Sequence, residues 1–303
     1  MIFRKLKKES TAIDKEQLPY LLLLAPFALL FILFILLPVV CSIVLSFFNF
    51  DMIATPKFIG IDNYVRMFIE DEIFMTVIKN TILLAILTGP AGFLLSFVLA
   101  WFINEFGPKV RTILSFMFYC PSLVGNAYFI WQVAFSNDSY GYVNSFLLSA
   151  GLIVEPINWF KDPTYIIPII VVIQLWMSMG ISFLANISGL QNVNGEMYEA
   201  GAIDGIRNRW QELWYITLPA MEHMLLFSAV MQIAGSFSIG AICVTLAGYP
   251  SVNYAADTIV SYLQDVGTTK FEMGYACAIS VVLFAMMLIT RQFIAKAIKR
   301  IGR

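Results

Sequence analysis

The feature that most constrains this chain is where its charges are missing. Asp, Glu, Lys and Arg are all absent from residues 17–50, 80–104, 112–137, 163–195, 224–256 and 273–290. An α-helix needs about 20 apolar residues to cross roughly 30 Å of hydrocarbon, and it satisfies its own backbone polar groups where no water can. Five of the six runs exceed that length. The sixth is extended by flanking aliphatic residues and by Arg291, whose long side chain reaches toward the headgroups. The pattern predicts an all-α membrane protein with six transmembrane helices. A seventh charge-free run, residues 139–154, is shorter and interrupted by Gly141, Asn144 and Gly151, so it is expected to lie at the surface or re-enter without crossing.

At 59% hydrophobic and 13% charged over 303 residues, the chain is too apolar for a soluble domain of this size. Its formal net charge of −1 offers no basic field for nucleic acid, which is therefore not an expected partner. Cys41, Cys120, Cys243 and Cys277 all fall in apolar stretches without C-x-x-C spacing, which suggests neither a zinc site nor a disulfide framework. The first apolar run is much longer than the apolar core of a secretion signal and continues through Pro38, so it is expected to stay attached.

Loop charges set the orientation. Fourteen of the 19 Lys and Arg residues fall at the termini and in the loops around Lys109, Arg111, Arg207 and Arg209; the other five are Lys57, Arg66, Lys79, Lys161 and Lys270. Positive residues concentrate on the cytoplasmic side, so both termini and the loop at residues 194–222 are expected there. Residues 1–16 read as a basic cytoplasmic tail suited to anionic membrane lipid, and residues 17–303 as a single membrane domain.

The loop at residues 194–222 is the most polar island in the chain. Asn194 suits an N-cap, Glu196 puts a negative charge in the first turn, and Gly205 supplies a left-handed stop, which predicts a short helix from Gly195 to Asp204. Met197, Ala200, Gly201 and Asp204 share one of its faces. Beyond Gly205, Trp210, Leu213, Trp214 and Thr217 repeat the spacing of one helical face, and Pro219 is expected to end that second helix. Two such short helices need a partner to be stable.

Glu199-Ala200-Gly201, Ile203-Asp204-Gly205 and Ile216-Thr217-Leu218-Pro219 together resemble the EAA loop of ABC-importer permeases, the segment that docks on the ATPase. Two departures stand out: Gly201 where the family usually has Ala, and one extra residue between Gly205 and Ile216. Phe58-Ile59-Gly60-Ile61-Asp62-Asn63-Tyr64 and Tyr140-Gly141-Tyr142-Val143-Asn144 resemble further landmarks, and Trp210-Gln211 resembles the carbohydrate branch, the permeases of maltose-type and multiple-sugar importers. The resemblance implies the type I importer permease fold in a bacterial inner membrane. It also implies a second permease subunit, two ABC ATPase subunits, an extracytoplasmic sugar-binding protein and a sugar as cargo. Glu199, Ala200, Gly201, Asp204, Gly205, Leu218 and Pro219 would couple to the ATPase, with Glu199 meeting a basic residue there.

No Walker-type phosphate loop, His-Glu-x-x-His or Gly-x-Ser-x-Gly motif occurs, so the chain is expected to be no enzyme and to bind no cofactor; ATP and Mg would be used by the ATPase. His223, the only histidine, is given no role. The charge-free runs also lack the ionisable residues that ion-coupled transporters use, but they carry Asn126, Gln132, Gln174, Ser178, Gln232, Ser236 and Ser238. Amides in lipid serve as glue between helices about as often as they serve a path. Gln174 and Ser178 are four apart, as are Gln232 and Ser236, so each pair lines one helix face, with Trp131 and Trp176 as stacking surfaces nearby. Counting from Glu199, the resemblance puts Gln174, Met177, Ser178 and Ile181, and then Gln232 and Ser236, on the substrate path. Neutral hydrogen-bonding groups suit an uncharged, hydroxyl-rich ligand. The rivals are an importer permease for another solute such as glycerol phosphate, a self-sufficient secondary transporter or channel, and an integral-membrane enzyme.

Overall fold

The computed structural model describes residues 18–301, so the basic tail at residues 1–16 lies outside the described residues. The first charge-free run forms α1 (Leu18–Phe31), a π turn (Ile32–Leu36) and α2 (Leu37–Leu45) in one rod. Most of its side chains are exposed, as suits an apolar helix whose solvent is lipid. The chain then makes a small antiparallel ladder of β1 (Phe48–Asn49) and β2 (Lys57–Phe58), followed by α3 (Asp62–Val65). Asn63 ties this corner together by donating to the carbonyls of Ser46 at 2.8 Å and Phe48 at 3.1 Å. Asp71 caps the 33-residue α4 (Glu72–Asn104) by accepting from the Phe74 N–H, and that helix is roughly 50 Å long at 1.5 Å per residue.

The third charge-free run differs from expectation. It forms α5 (Pro108–Leu123), a turn, and α6 (Phe129–Ala134) rather than one long helix. At 16 residues α5 measures about 24 Å, short of the hydrocarbon thickness. The seventh run becomes the eight-residue α7 (Tyr142–Ser149), far too short to cross. Asn144 anchors it, donating to the carbonyls of Ser136, Asp138 and Ile157 and accepting from the Trp159 indole N–H at 2.9 Å. Both sequence landmarks thus have a structural job: each centres on an asparagine that pins a loop.

The remaining elements are α8 (Pro163–Met177), α9 (Ile181–Gln191), α10 (Gly195–Ile203), α11 (Arg209–Glu212), a π turn (Leu213–Thr217), α12 (Leu218–Ala220), α13 (Glu222–Phe237), α14 (Gly240–Ala247), a 3-10 turn (Val252–Tyr254), α15 (Ile259–Gln264), a π turn (Asp265–Thr269) and α16 (Met273–Ile301). Among the described residues, four helical segments are long and apolar enough to cross a membrane; α8 and α9, bent by 43°, make a fifth if taken as one span. The sixth crossing expected from the charge pattern has no single helix of spanning length.

Helices α4, α9 and α13 pack on one another at the centre. Their apolar stripes meet in a core built on Phe97, Ala100, Phe183, Ile187, Leu225 and Ala229. A second core joins Ile166, Ile170 and Ile173 of α8 to Ile242 and Leu246 of α14, and a third packs Phe74 and Val77 against α15 and α16.

Candidate translocation cleft and coupling hairpin

The cleft begins at the bend. α8 ends at Met177, and the next helix starts only at Ile181, after Gly180 takes a backbone ψ of −126°, outside the helical region. Gly180 lies against α5, where a Cβ would come within 3.2 Å of the Ser122 Cβ. Around this bend a cleft of about 300 Å³ is lined by Tyr119, Ser122, Gln174, Met177, Ser178, Ile181, Ser182, Met231 and Gln232, with no charged side chain among its lining. That volume is at the low end of small-molecule sites, roughly 300–1,000 Å³.

Five residues expected on the path, Gln174, Met177, Ser178, Ile181 and Gln232, therefore line one cavity. The Gln232 amide accepts a 2.9 Å hydrogen bond from Ser182, and the Gln174 amide reaches the Gly235 carbonyl at 3.5 Å. Ser178 donates to its own helix at the Leu175 carbonyl, 2.7 Å away.

The sixth residue is not in this cavity. Ser236 is buried, donates to the Ile233 carbonyl, and faces Gly89 in a separate apolar cavity between α4, α13 and α16. Four residues advance a helix by about 40° past a full turn and about 6 Å along its axis, so both residues meet α4, Gln232 at Gly92 and Ser236 at Gly89, but Ser236 opens into the cavity on the α16 side. Trp131 and Trp176 also fall outside the lining; they meet edge-to-face at 5.5 Å, and Trp131 packs against the α8–α14 core. The aromatic ring at the cleft is Tyr119. Asn126 and Gln132 engage Tyr128 and the Thr245 carbonyl instead.

Sequence reasoning missed Ser122, Ser182, Met231 and, above all, Gly92, on which a Cβ would overlap the Gln232 amide and come within 3.1 Å of the Ser178 Oγ. The run Gly89-Pro90-Ala91-Gly92 was the available signal, since glycine inside a span marks close approach.

The hairpin at residues 194–222 forms largely as its sequence predicts. Asn194 caps α10 by accepting from the Glu196 N–H at 3.1 Å, and Gly205 ends it at φ +95°, a conformation that any Cβ would strain. Glu199, Ala200 and Asp204 are exposed and Ile203 is 87% exposed, so this side is free for a partner. Gly201 does not share that face. It is buried, and a methyl group there would come within 2.6 Å of Ile216 Cδ1, which gives the Gly-for-Ala departure a packing reason.

The second limb departs from its predicted face. Leu213, Ile216 and Thr217 form the buried stripe of the limb, at i, i+3 and i+4, while Trp210 and Trp214, themselves four apart, stand on the exposed side. Pro219 does not end this limb either. It occupies the first turn of α12, where a missing N–H is no loss, and the chain breaks at Met221. Leu218 and Pro219 are half-buried. Arg209 pairs with Glu105 at 2.9 Å and Glu212 at 2.8 Å, and the hydroxyls of Tyr198 and Thr217 lie 2.9 Å apart, so the two limbs are joined to each other and to the end of α4.

At the opposite end of α4, Asp71 accepts from the phenols of Tyr262 at 2.5 Å and Tyr275 at 2.6 Å. Partial burial acts to raise its pKa, but those two donors, the Phe74 N–H and the Arg66 charge together hold it below the ordinary carboxylate value. Arg66 itself lies over the Tyr275 ring and pairs with Glu272 at 2.7 Å.

A lipid-embedded helical core with an uncharged cleft at a broken helix and a solvent-facing helical hairpin defines a membrane transport subunit. Residues 92–301 match the family described as binding-protein-dependent transport system inner membrane component, and the chain belongs to it. It is 30% identical over 284 residues to the probable ABC transporter permease protein YesP of Bacillus subtilis, covering 92% of this chain and 90% of that one. It is 31% identical over 278 residues to the arabinooligosaccharides transport system permease protein AraP of the same organism, covering 91% and 87%. A crystal structure of a bacterial ABC transporter involved in import of the acidic polysaccharide alginate contains a chain of the same fold, with a TM-score of 0.78 at 24% identity over 95% of this chain and 98% of that one.

Proposed function

We propose that this permease subunit carries a neutral sugar or oligosaccharide into a bacterial cell. The observation that carries the reading is the composition of the cleft: two amides, serine hydroxyls and a phenol with no ionised group, at the point where α8 and α9 part. Hydroxyl-rich, uncharged molecules exchange their water hydrogen bonds for such groups without leaving a buried charge unpaired. An anionic cargo such as glycerol phosphate would lack a cation to meet it there. Relatives named for arabinooligosaccharides and lactose carry the proposed class of cargo, and others are named for sulfoquinovosyl glycerol and polygalacturonan/rhamnogalacturonan, so the relatives support a saccharide and the cleft alone supports a neutral one.

In this reading the chain crosses the membrane six times with both termini cytoplasmic, and a second permease subunit closes the other half of the path. Of two ABC ATPase subunits, one docks on the hairpin through Glu199, Ala200, Asp204 and Gly205, with Gly201, Leu218 and Pro219 shaping its inner side. They use ATP and Mg, while this chain binds no cofactor of its own. An extracytoplasmic binding protein delivers the sugar; a related alginate transporter has been crystallised with a pentasaccharide-bound periplasmic protein. ATP binding and hydrolysis would shift the assembly between outward-open and inward-open states, and the hairpin transmits that shift through Arg209 and Glu105 to α4. The absence of intramembrane ionised groups disfavours a self-sufficient ion-coupled transporter.

The test is to purify the subunit with its partner permease, ATPase and binding protein and to measure ATP hydrolysis against a panel of neutral and acidic saccharides. Stimulation by a neutral sugar supports the reading, whereas stimulation only by an acidic saccharide or a phosphate ester contradicts it.

A further inference from the structure

The second limb of the hairpin carries an aromatic face that the rest of the chain leaves uncovered. Trp210 is 69%, Trp214 57% and Tyr215 67% exposed, on the opposite side from buried Leu213, Ile216 and Thr217. Single exposed apolar residues are ordinary, but three large amphipathic rings on neighbouring turns of one helix form a patch.

The position of this patch relative to the bilayer follows from its contacts. The Trp210 ring packs at 5.2 Å on Trp101, in the last turn of the spanning helix α4, and Arg209 pairs with Glu105 one residue beyond that helix. A second spanning segment starts at Glu222, immediately after the limb. The charge-free run of α4 ends at Asn104 and that of α13 begins at Met224, so the rings stand where two charge-free runs end. Phe102 and Phe106, both about half exposed, continue the apolar rim. Arg207, whose backbone N–H donates to the Gln211 side chain next to Trp210, and Lys109, four residues beyond Glu105, are exposed and form no ion pair among the described residues.

Indole and phenol rings are favoured at the level of the headgroups, with the ring body toward the acyl chains and the N–H or O–H toward water, and neighbouring basic side chains attract anionic lipid. We propose that Trp210, Trp214 and Tyr215, with Lys109 and Arg207, form a contact site for anionic phospholipid that anchors the coupling hairpin to the membrane surface. The exposed side of α10, with Glu199, Ile203 and Asp204, would remain for a soluble partner. This inference does not depend on the cargo.

The assembled importer in proteoliposomes tests it. Tryptophan fluorescence is compared between the wild type and Trp210→Phe/Trp214→Phe, so that the difference isolates two of the six tryptophans. Phosphatidylglycerol brominated near the carbonyl end of the acyl chain is expected to quench that difference signal by roughly half or more, and lipid brominated near the chain terminus to quench it less. Lys109→Gln/Arg207→Gln is expected to remove the excess quenching by brominated phosphatidylglycerol over brominated phosphatidylcholine. A difference signal that no bromolipid reaches overturns the proposal: quenching by aqueous acrylamide would mean the face is in water, and protection from both would mean that a protein subunit covers it. Equal quenching by both lipids in the wild type overturns the anionic preference.

Discussion

Gly92 of α4 lies directly beneath the amide of Gln232 on α13, so the cleft owes its polar wall to a missing side chain on the facing helix. A methyl group at position 92 would occupy the space of the Gln232 Nε2 and crowd the Ser178 Oγ. Gly92→Ala is expected to push Gln232 out of its 2.9 Å bond with Ser182, destabilise the fold by about 1–3 kcal/mol through overpacking, and reduce uptake at low sugar concentration about 5- to 150-fold. Thermal melting of the purified subunit and an uptake assay check both parts. Wild-type melting and uptake would mean the amide is not held there.

The hairpin makes a separate prediction. Glu199→Lys reverses an exposed charge, and Gly205→Leu puts a Cβ on a residue held at φ +95°. Both variants should insert and assemble at wild-type levels or slightly below yet lose transport and sugar-stimulated ATP hydrolysis. Membrane abundance measured beside uptake separates loss of coupling from loss of protein. Normal transport by both would remove the hairpin from the coupling route.

Asp71 predicts a pH effect on the far end of α4. Its folded pKa lies below the unfolded value, so the stability it contributes is present above about pH 4, the ordinary carboxylate range, and is lost as pH falls through the folded value. Asp71→Asn should lower stability at neutral pH by about 1–3 kcal/mol, because Tyr262 and Tyr275 lose a charged acceptor. It should also flatten the acid side of the stability profile. Chemical or thermal unfolding at neutral pH and below pH 4 reads the difference; parallel profiles would show that the carboxylate is not the acceptor that matters.

Orientation is checked by labelling. Cysteine at Asn208, between the two limbs of the hairpin, should react only from the cytoplasm, and cysteine at Asn137 only from outside. The reverse pattern would place the hairpin beyond the reach of ATP.

Much of this was legible in the sequence because membrane helices announce themselves by what they exclude. Charge-free runs located four spanning segments and the bent α8–α9 pair, and Asn194 and Gly205 bounded α10 through their own backbone chemistry. The third run was misleading because hydropathy reports only that a segment can lie in lipid; it does not register the turn that ends α5 at Leu123. The path residues came out in part for a similar reason. Spacing of four puts Gln232 and Ser236 on one side of a helix, and both meet α4, yet the turn and rise between them decide which cavity each one opens into, and that depends on how α9 and α16 pack around α13. Trp210, Leu213, Trp214 and Thr217 all fit one face by spacing alone, but Leu213 and Thr217 are buried with Ile216 while the tryptophans are exposed, a division that only the packing of the limb decides. Gly92 was invisible as a site residue because its contribution is the absence of atoms, which acquires meaning only once Gln232 is placed across from it.

If the sugar passes through the uncharged cleft at the α8–α9 bend, two activities of one assembled complex should separate. Gln174→Leu and Ser178→Ala, with Val172→Ala on the exposed side of α8 as control, are to be expressed at matched levels and assayed for uptake below saturation and for basal ATP hydrolysis. Removing a sugar's hydrogen-bond partner costs about 1–3 kcal/mol, so uptake per complex should fall about 5- to 150-fold in both variants while basal hydrolysis and the control hold. Unchanged uptake in both variants, or uptake and basal hydrolysis falling together with the amount of complex, would show these residues to be helix contacts and contradict the claim.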